Sequence, residues 1–100
     1  MTYRNRTLLN LAHEAPCMLQ LGVAGCSTNP SVPCHSDMLR HGRGAGHKSA
    51  DCFAVPGCPA CHAAFNRKNL GRDVGYEMAW LKAFERYTVW LWENDKIRVQ

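Results

Sequence analysis

Four of the chain's six cysteines and four of its five histidines fall between Cys34 and His62, with Cys17 and Cys26 just upstream. Two cysteines separated by two residues at a turn, as in Cys58-Pro-Ala-Cys61, aim both sulfurs at one ion, and zinc asks for four such ligands in a tetrahedron. Cys17 and Cys26 supply the other half, although the eight residues between them exceed the usual knuckle spacing. The expectation is a structural zinc on Cys17, Cys26, Cys58 and Cys61. Free buried thiols are the plain alternative, and a thioredoxin-like redox pair would need a strand-helix-strand setting that the neighbouring residues do not suggest. Cys58-Pro-Ala-Cys61-His62 also matches a c-type haem attachment motif. Covalent haem would require export to an oxidising compartment and a second axial ligand, and four other cysteines argue against it. A second constellation is His35, Asp51 and His62. A lone histidine is usually structural, but three polar residues flanking a hairpin and a helix start suit another arrangement. In it one histidine holds a metal while another activates water on a phosphodiester.

A chain of 100 residues buries only a modest share of its surface, so one domain over residues 1–100 with a metal staple is expected. Six cysteines permit three disulfides, but no apolar signal-peptide core follows Met1-Thr-Tyr-Arg-Asn-Arg, and a cytoplasmic home is expected. In a reducing compartment clustered cysteines are more often metal ligands than bridges. No apolar run approaches the length of a membrane span, so no membrane partner is expected. Twelve Lys and Arg against eight Asp and Glu leave a net charge of +4, a mild excess that suits a polyanion without requiring one.

The elements that must position these groups follow from punctuation and periodicity. Leu8, Leu9, Leu11 and Ala12 recur at helical spacing within 2–15, and Pro16 supplies the stop. From Cys17 to Cys26 a short extended piece and a turn bring the two cysteines together. Residues 27–33 read as a loop, and 32–39 include a short strand. The glycines at 42, 44 and 46 make an irregular loop, Cys52-Phe-Ala-Val a second strand, and Pro56-Gly57 a turn. The two strands could pair as a hairpin. Pro59 opens a helix carrying Cys61, His62 and Phe65 that Gly71 ends. A longer helix runs from Asp73 to about Asn94, with Tyr76, Trp80, Ala83, Phe84, Tyr87 and Leu91 as a core-facing stripe.

The ordered set Cys17, Cys26, His35, Gly44-Ala-Gly46-His-Lys48, Asp51, Cys58-Pro-Ala-Cys61-His62 and Phe65-Asn-Arg67-Lys68 resembles the small prophage-encoded nucleases of the YbcO type. These are related to HNH, or ββα-metal, endonucleases. The resemblance implies an α+β fold: a zinc-stapled ββα-metal module with an N-terminal helix and a long C-terminal helix. It implies a DNA endonuclease in which His35 is the general base and His62 holds a catalytic divalent ion such as magnesium or manganese. Asp51 would take the middle position of the motif, fixing the loop or joining the metal shell. Many HNH enzymes carry an aspartate ligand before the first histidine, where this chain has Cys34. Asp51, Asp37, His41 and His47 are therefore all candidates for the second metal ligand.

Arg40, Arg43, Lys48, Arg67, Lys68 and Arg72 are basic residues around the proposed site, of which Arg43, Lys48, Arg67 and Lys68 are the expected phosphate contacts. Trp80, Trp90 and Trp92 suit the core or a homodimer surface better than base stacking. Two functions remain open: a metal-dependent endonuclease, or a non-catalytic zinc module that binds DNA or a protein partner. Only the first needs His35 and His62.

Overall fold

Tyr3, Arg4 and Asn5 precede the first helix and are hydrogen-bonded to residues 48–51. In this computed structural model residues 3–26, 31–44, 46–67, 74–97 and 99 are described. The Asp51 amide donates to the Tyr3 carbonyl (2.9 Å), which keeps Tyr3 and Arg4 out of the helix. Asn5 then caps helix α1 (Arg6–Leu11), its side chain accepting from the Leu8 amide at 3.0 Å, a favoured N-cap arrangement. The expected helix over 2–15 is thus shorter. It tightens into a 3-10 turn at Ala12–Glu14, and Ala15 is extended (φ −95°, ψ 155°), as a residue before proline must be.

Strands β1 (Val32–His35) and β2 (Ala54–Gly57) pair antiparallel, with Pro33 opposite Pro56 and His35 opposite Ala54. Two prolines can face each other only where the pair exchanges no ladder bonds, because neither has an amide hydrogen to give. The Pro56 carbonyl therefore points away from β1 and accepts from the amides of Met18 and Leu19 at 2.8 and 3.3 Å. This corrects two expectations. Pro56-Gly57 is strand rather than turn, and Cys52-Phe53 belongs to a 3-10 turn (Asp51–Phe53) rather than to the strand. Gly57 is required by close approach: a Cβ there would lie 2.7 Å from Leu19 Cδ1 and 2.8 Å from Cys34 Sγ. Between the strands the 39–50 loop is irregular, as expected. Gly42 sits at φ +96° after a 3-10 turn at Leu39–His41, and one isolated bridge joins Gly44 to His47.

Helix α2 (Pro59–Arg67) leaves β2 after a single residue, Cys58, whose carbonyl accepts the first helical bond from the His62 amide (2.8 Å). Proline at the first helical position has no amide to leave unsatisfied. The expected end of this helix near Leu70-Gly71 lies outside the described residues. Helix α3 (Val74–Glu93) is about 30 Å long at the standard helical rise. Trp80, Ala83, Tyr87 and Leu91 are buried on its inner face, with Tyr76 and Phe84 packed beside them. Trp80 is fully buried and its indole N–H donates to the Cys34 carbonyl at 3.0 Å, which ties α3 to β1. Phe84 stacks on Trp80 and touches Phe53, and Phe53 stacks on His41 with ring centres 4.0 Å apart. The described chain is a small α+β fold of three α-helices and a two-stranded sheet. No helix among the described residues is long and apolar enough to cross a membrane.

Candidate functional site

Cys17, Cys26, Cys58 and Cys61 come together at the junction of the 17–26 loop with the start of α2. Their sulfurs all lie within 4.8 Å of one another, and three of the four are buried. A tetrahedral zinc with sulfurs at about 2.3 Å needs them roughly 3.8 Å apart, so the four could hold a zinc ion. The setting suits thiolates. The Leu21 amide donates to Cys61 Sγ (3.4 Å) and the Gln20 amide to Cys17 Sγ (3.5 Å), bonds of the kind that support ligand charge from outside the metal. Gln20 reaches its position through a left-handed backbone (φ +45°), followed by Gly22 at φ +74°. Burial, the first cause, and the neighbouring sulfurs push the Cys61 thiol well up from its ordinary value. A bound dication reverses that effect by favouring the thiolate. Cys34 and Cys52 lie outside the cluster, and no cysteine is in a disulfide.

The adjacent face of the same helix turn opens onto a cleft of about 490 Å³. Strand alternation decides what enters it: Pro33 and His35, two apart, line the cleft, while Cys34 between them is buried in the core. Helix α2 contributes His62 and, one turn on, Asn66, whose amide nitrogen is 3.3 Å from His62 Nε2. Burial, then repulsion from His35 and Lys48, lowers the His62 pKa, which favours the neutral imidazole that binds metals. The connecting loop adds Asp37, Arg43 and Lys48, and α1 adds Arg6, Asn10 and, beyond its end, His13. Arg43 pairs with Asp37 at 3.1 Å.

His35 is held from behind. Its Nε2 is 3.0 Å from Asp51 Oδ1, and an ionised carboxylate only accepts, so Nε2 carries the proton and Nδ1 is the nitrogen left to accept one. Asp51 is only 4% exposed. Burial alone would raise its pKa. Hydrogen bonds from His35, from the Asn5 amide (2.6 Å to Oδ2) and from Arg4 (3.1 Å to Oδ1) outweigh it and hold the carboxyl below its ordinary range. Arg4 is itself fixed by the carbonyls of Ser49 and Lys48.

Of the four candidates for a second ligand beside His62, Asp37 alone lines the cleft. Asp51 spends both oxygens on Arg4, Asn5 and His35. His41 is stacked on Phe53 and bonded to Ser36 Oγ at 2.7 Å, and exposed His47 makes a long contact to the Lys48 carbonyl. Of the expected phosphate contacts, Arg43 and Lys48 line the cleft, and exposed Arg40, from the wider basic set, does not. The side chain of Arg67, and all of Lys68 and Arg72, lie outside the described residues. Sequence reasoning missed Asn66, which its helical i, i+4 spacing from His62 could have revealed. It also missed Arg4 and Asn5, which carry no local signal. No protein-family model, curated protein or solved structure matches this chain.

Proposed function

We propose that the chain is a metal-dependent DNA endonuclease of the HNH, or ββα-metal, class, similar to the YbcO-type prophage nucleases and acting in the cytoplasm. A structural zinc on the four cysteines is separate from its chemistry. One juxtaposition supports this reading most: His35 from β1, with its proton fixed on Nε2 by Asp51, meets His62 from the first turn of α2 in one basic cleft. His35 Nδ1 takes a proton from water as the water oxygen bonds to phosphorus and the bond from phosphorus to one sugar oxygen breaks. Asp51 stabilises the imidazolium that forms and keeps the ring from turning. Arg43 and Lys48 hold the phosphate oxygens, and the proton needed by the departing oxygen comes from solvent. His62 would hold a divalent ion together with Asn66, since turning the Asn66 amide over presents its oxygen beside Nε2. One imidazole nitrogen and one amide oxygen suit such an ion. When bound, it supplies charge stabilisation at the phosphate and the leaving oxygen.

A zinc module without catalysis would use the same cysteines and would need neither His35 nor His62 in the cleft. Incubation of the purified protein with supercoiled plasmid separates the two. Nicking with added magnesium or manganese, absent without them and lost in His35→Ala, is the expected outcome. A wild-type protein that leaves the plasmid intact under every metal condition contradicts it.

A further inference from the structure

Helix α1 buries none of its own residues, yet the segment before it is fastened at several points. The Tyr3 carbonyl, the Arg4 guanidinium and the Asn5 amide all bond to residues 48–51. So much anchoring for a helix that adds little to the core asks what the helix does where it is held. Its position supplies the answer: Arg6, Asn10 and His13, at helical spacings of four and three, present one polar edge to the cleft that holds His35 and His62. Among the described residues the side chains of Arg6 and Asn10 have no hydrogen-bond or ion-pair partner. His13 is pinned by its Nδ1, 2.9 Å from the Ser31 carbonyl, which assigns the proton to Nδ1 and leaves Nε2 for a ligand.

We propose that this edge is a nucleic-acid contact, in which Arg6 and Asn10 bind backbone phosphates of the strand being cut and His13 touches the neighbouring sugar or base. The assignment rests on the endonuclease reading above and extends it from the reacting phosphate to its neighbours. The seven residue steps from Arg6 to His13 cover about 10 Å at the helical rise, close to the rise of about three nucleotides along one strand. The edge therefore spans more than the single phosphate at His35. Its donors suit an anion: a guanidinium offers a planar fork of N–H groups and a primary amide offers two more. Among the described residues the one carboxylate lining the cleft is Asp37, which is paired with Arg43, so no described acidic group in the cleft is left to take Arg6.

Fluorescence anisotropy with a labelled duplex oligonucleotide tests the edge, using the zinc-loaded full chain in a His35→Ala background so that binding is read without cutting. Arg6→Gln combined with Asn10→Ala is compared with Lys82→Gln, a change on the exposed face of α3. The double variant is expected to bind about 10-fold more weakly, with a salt slope smaller by about one ion. Its zinc content and melting temperature should match the parent, because neither side chain is bonded to the fold. In the cleaving background KM should rise with kcat largely kept. If the double variant binds like Lys82→Gln, the edge is only a solvated face and this assignment falls while the endonuclease reading stands. If the parent binds no duplex even in low salt, both fall together.

Discussion

Asp51 carries its charge in a place where charge is costly, and the residues around it explain why it stays ionised. Arg4, the Asn5 amide and His35 all donate to its two oxygens, and together they hold its pKa below the ordinary 3.8. A group whose folded pKa is depressed contributes stability that is complete above the unfolded value and is lost as pH falls through the folded one. The wild-type protein should therefore lose stability steadily as pH drops below about 4. Asp51→Asn should be less stable at pH 7 by about 1–3 kcal/mol and flatter across that acid range, as followed by urea denaturation at several pH values. The same change should lower kcat more than KM, since the carboxylate is proposed to orient His35 rather than to touch DNA. That His35 and His62 would come to one place was legible from residue type and spacing, and both line the same cleft. The service of Asp51 to His35 was not, because it is set by Arg4 and Asn5, 47 and 46 residues away in sequence.

The elements divide the same way between local and distant causes. Helices α2 and α3 were legible because proline at the first position and a long apolar stripe are local signals. Strand β2 was displaced in the sequence reading because Pro56 and Gly57 look like turn residues. Two distant partners make them strand: Pro33, which matches Pro56 at a pair needing no ladder bond, and the Met18 and Leu19 amides, which take up the Pro56 carbonyl. The 17–26 loop is seated through those bonds and through the Arg86 guanidinium, which donates to the Met18 carbonyl at 2.7 Å. Gly57→Ala tests the seat. A new methyl group at 2.7 Å from Leu19 Cδ1 and 2.8 Å from Cys34 Sγ must displace these two buried side chains and strain the seat of the loop, costing about 1–3 kcal/mol. Thermal denaturation of the zinc-loaded variant should show a lowered midpoint and weaker zinc retention. An unchanged midpoint would mean that the contact is not tight in solution.

At the scale of the molecule, the four-cysteine cluster joins the 17–26 loop to α2 beside a small core and could hold a zinc ion. Metal-binding energy in a domain of this size is largely folding energy. One zinc per chain is expected by metal analysis of protein purified without added zinc, and Cys58→Ser should lose cooperative unfolding or become insoluble. Three disulfides and no metal would overturn that assignment. The cluster and the cleft lie on neighbouring faces of one turn of α2, Cys61 on one and His62 on the other, so folding and chemistry should separate between adjacent residues. The most direct test is plasmid nicking by His62→Ala beside the wild type, both zinc-loaded and supplied with manganese, with zinc counted in each sample. The wild type should nick, and His62→Ala should keep its zinc and its fold while cleavage falls by about 100-fold or more. Equal nicking by the two proteins, or loss of the zinc from His62→Ala, would contradict the separation of a structural from a catalytic site.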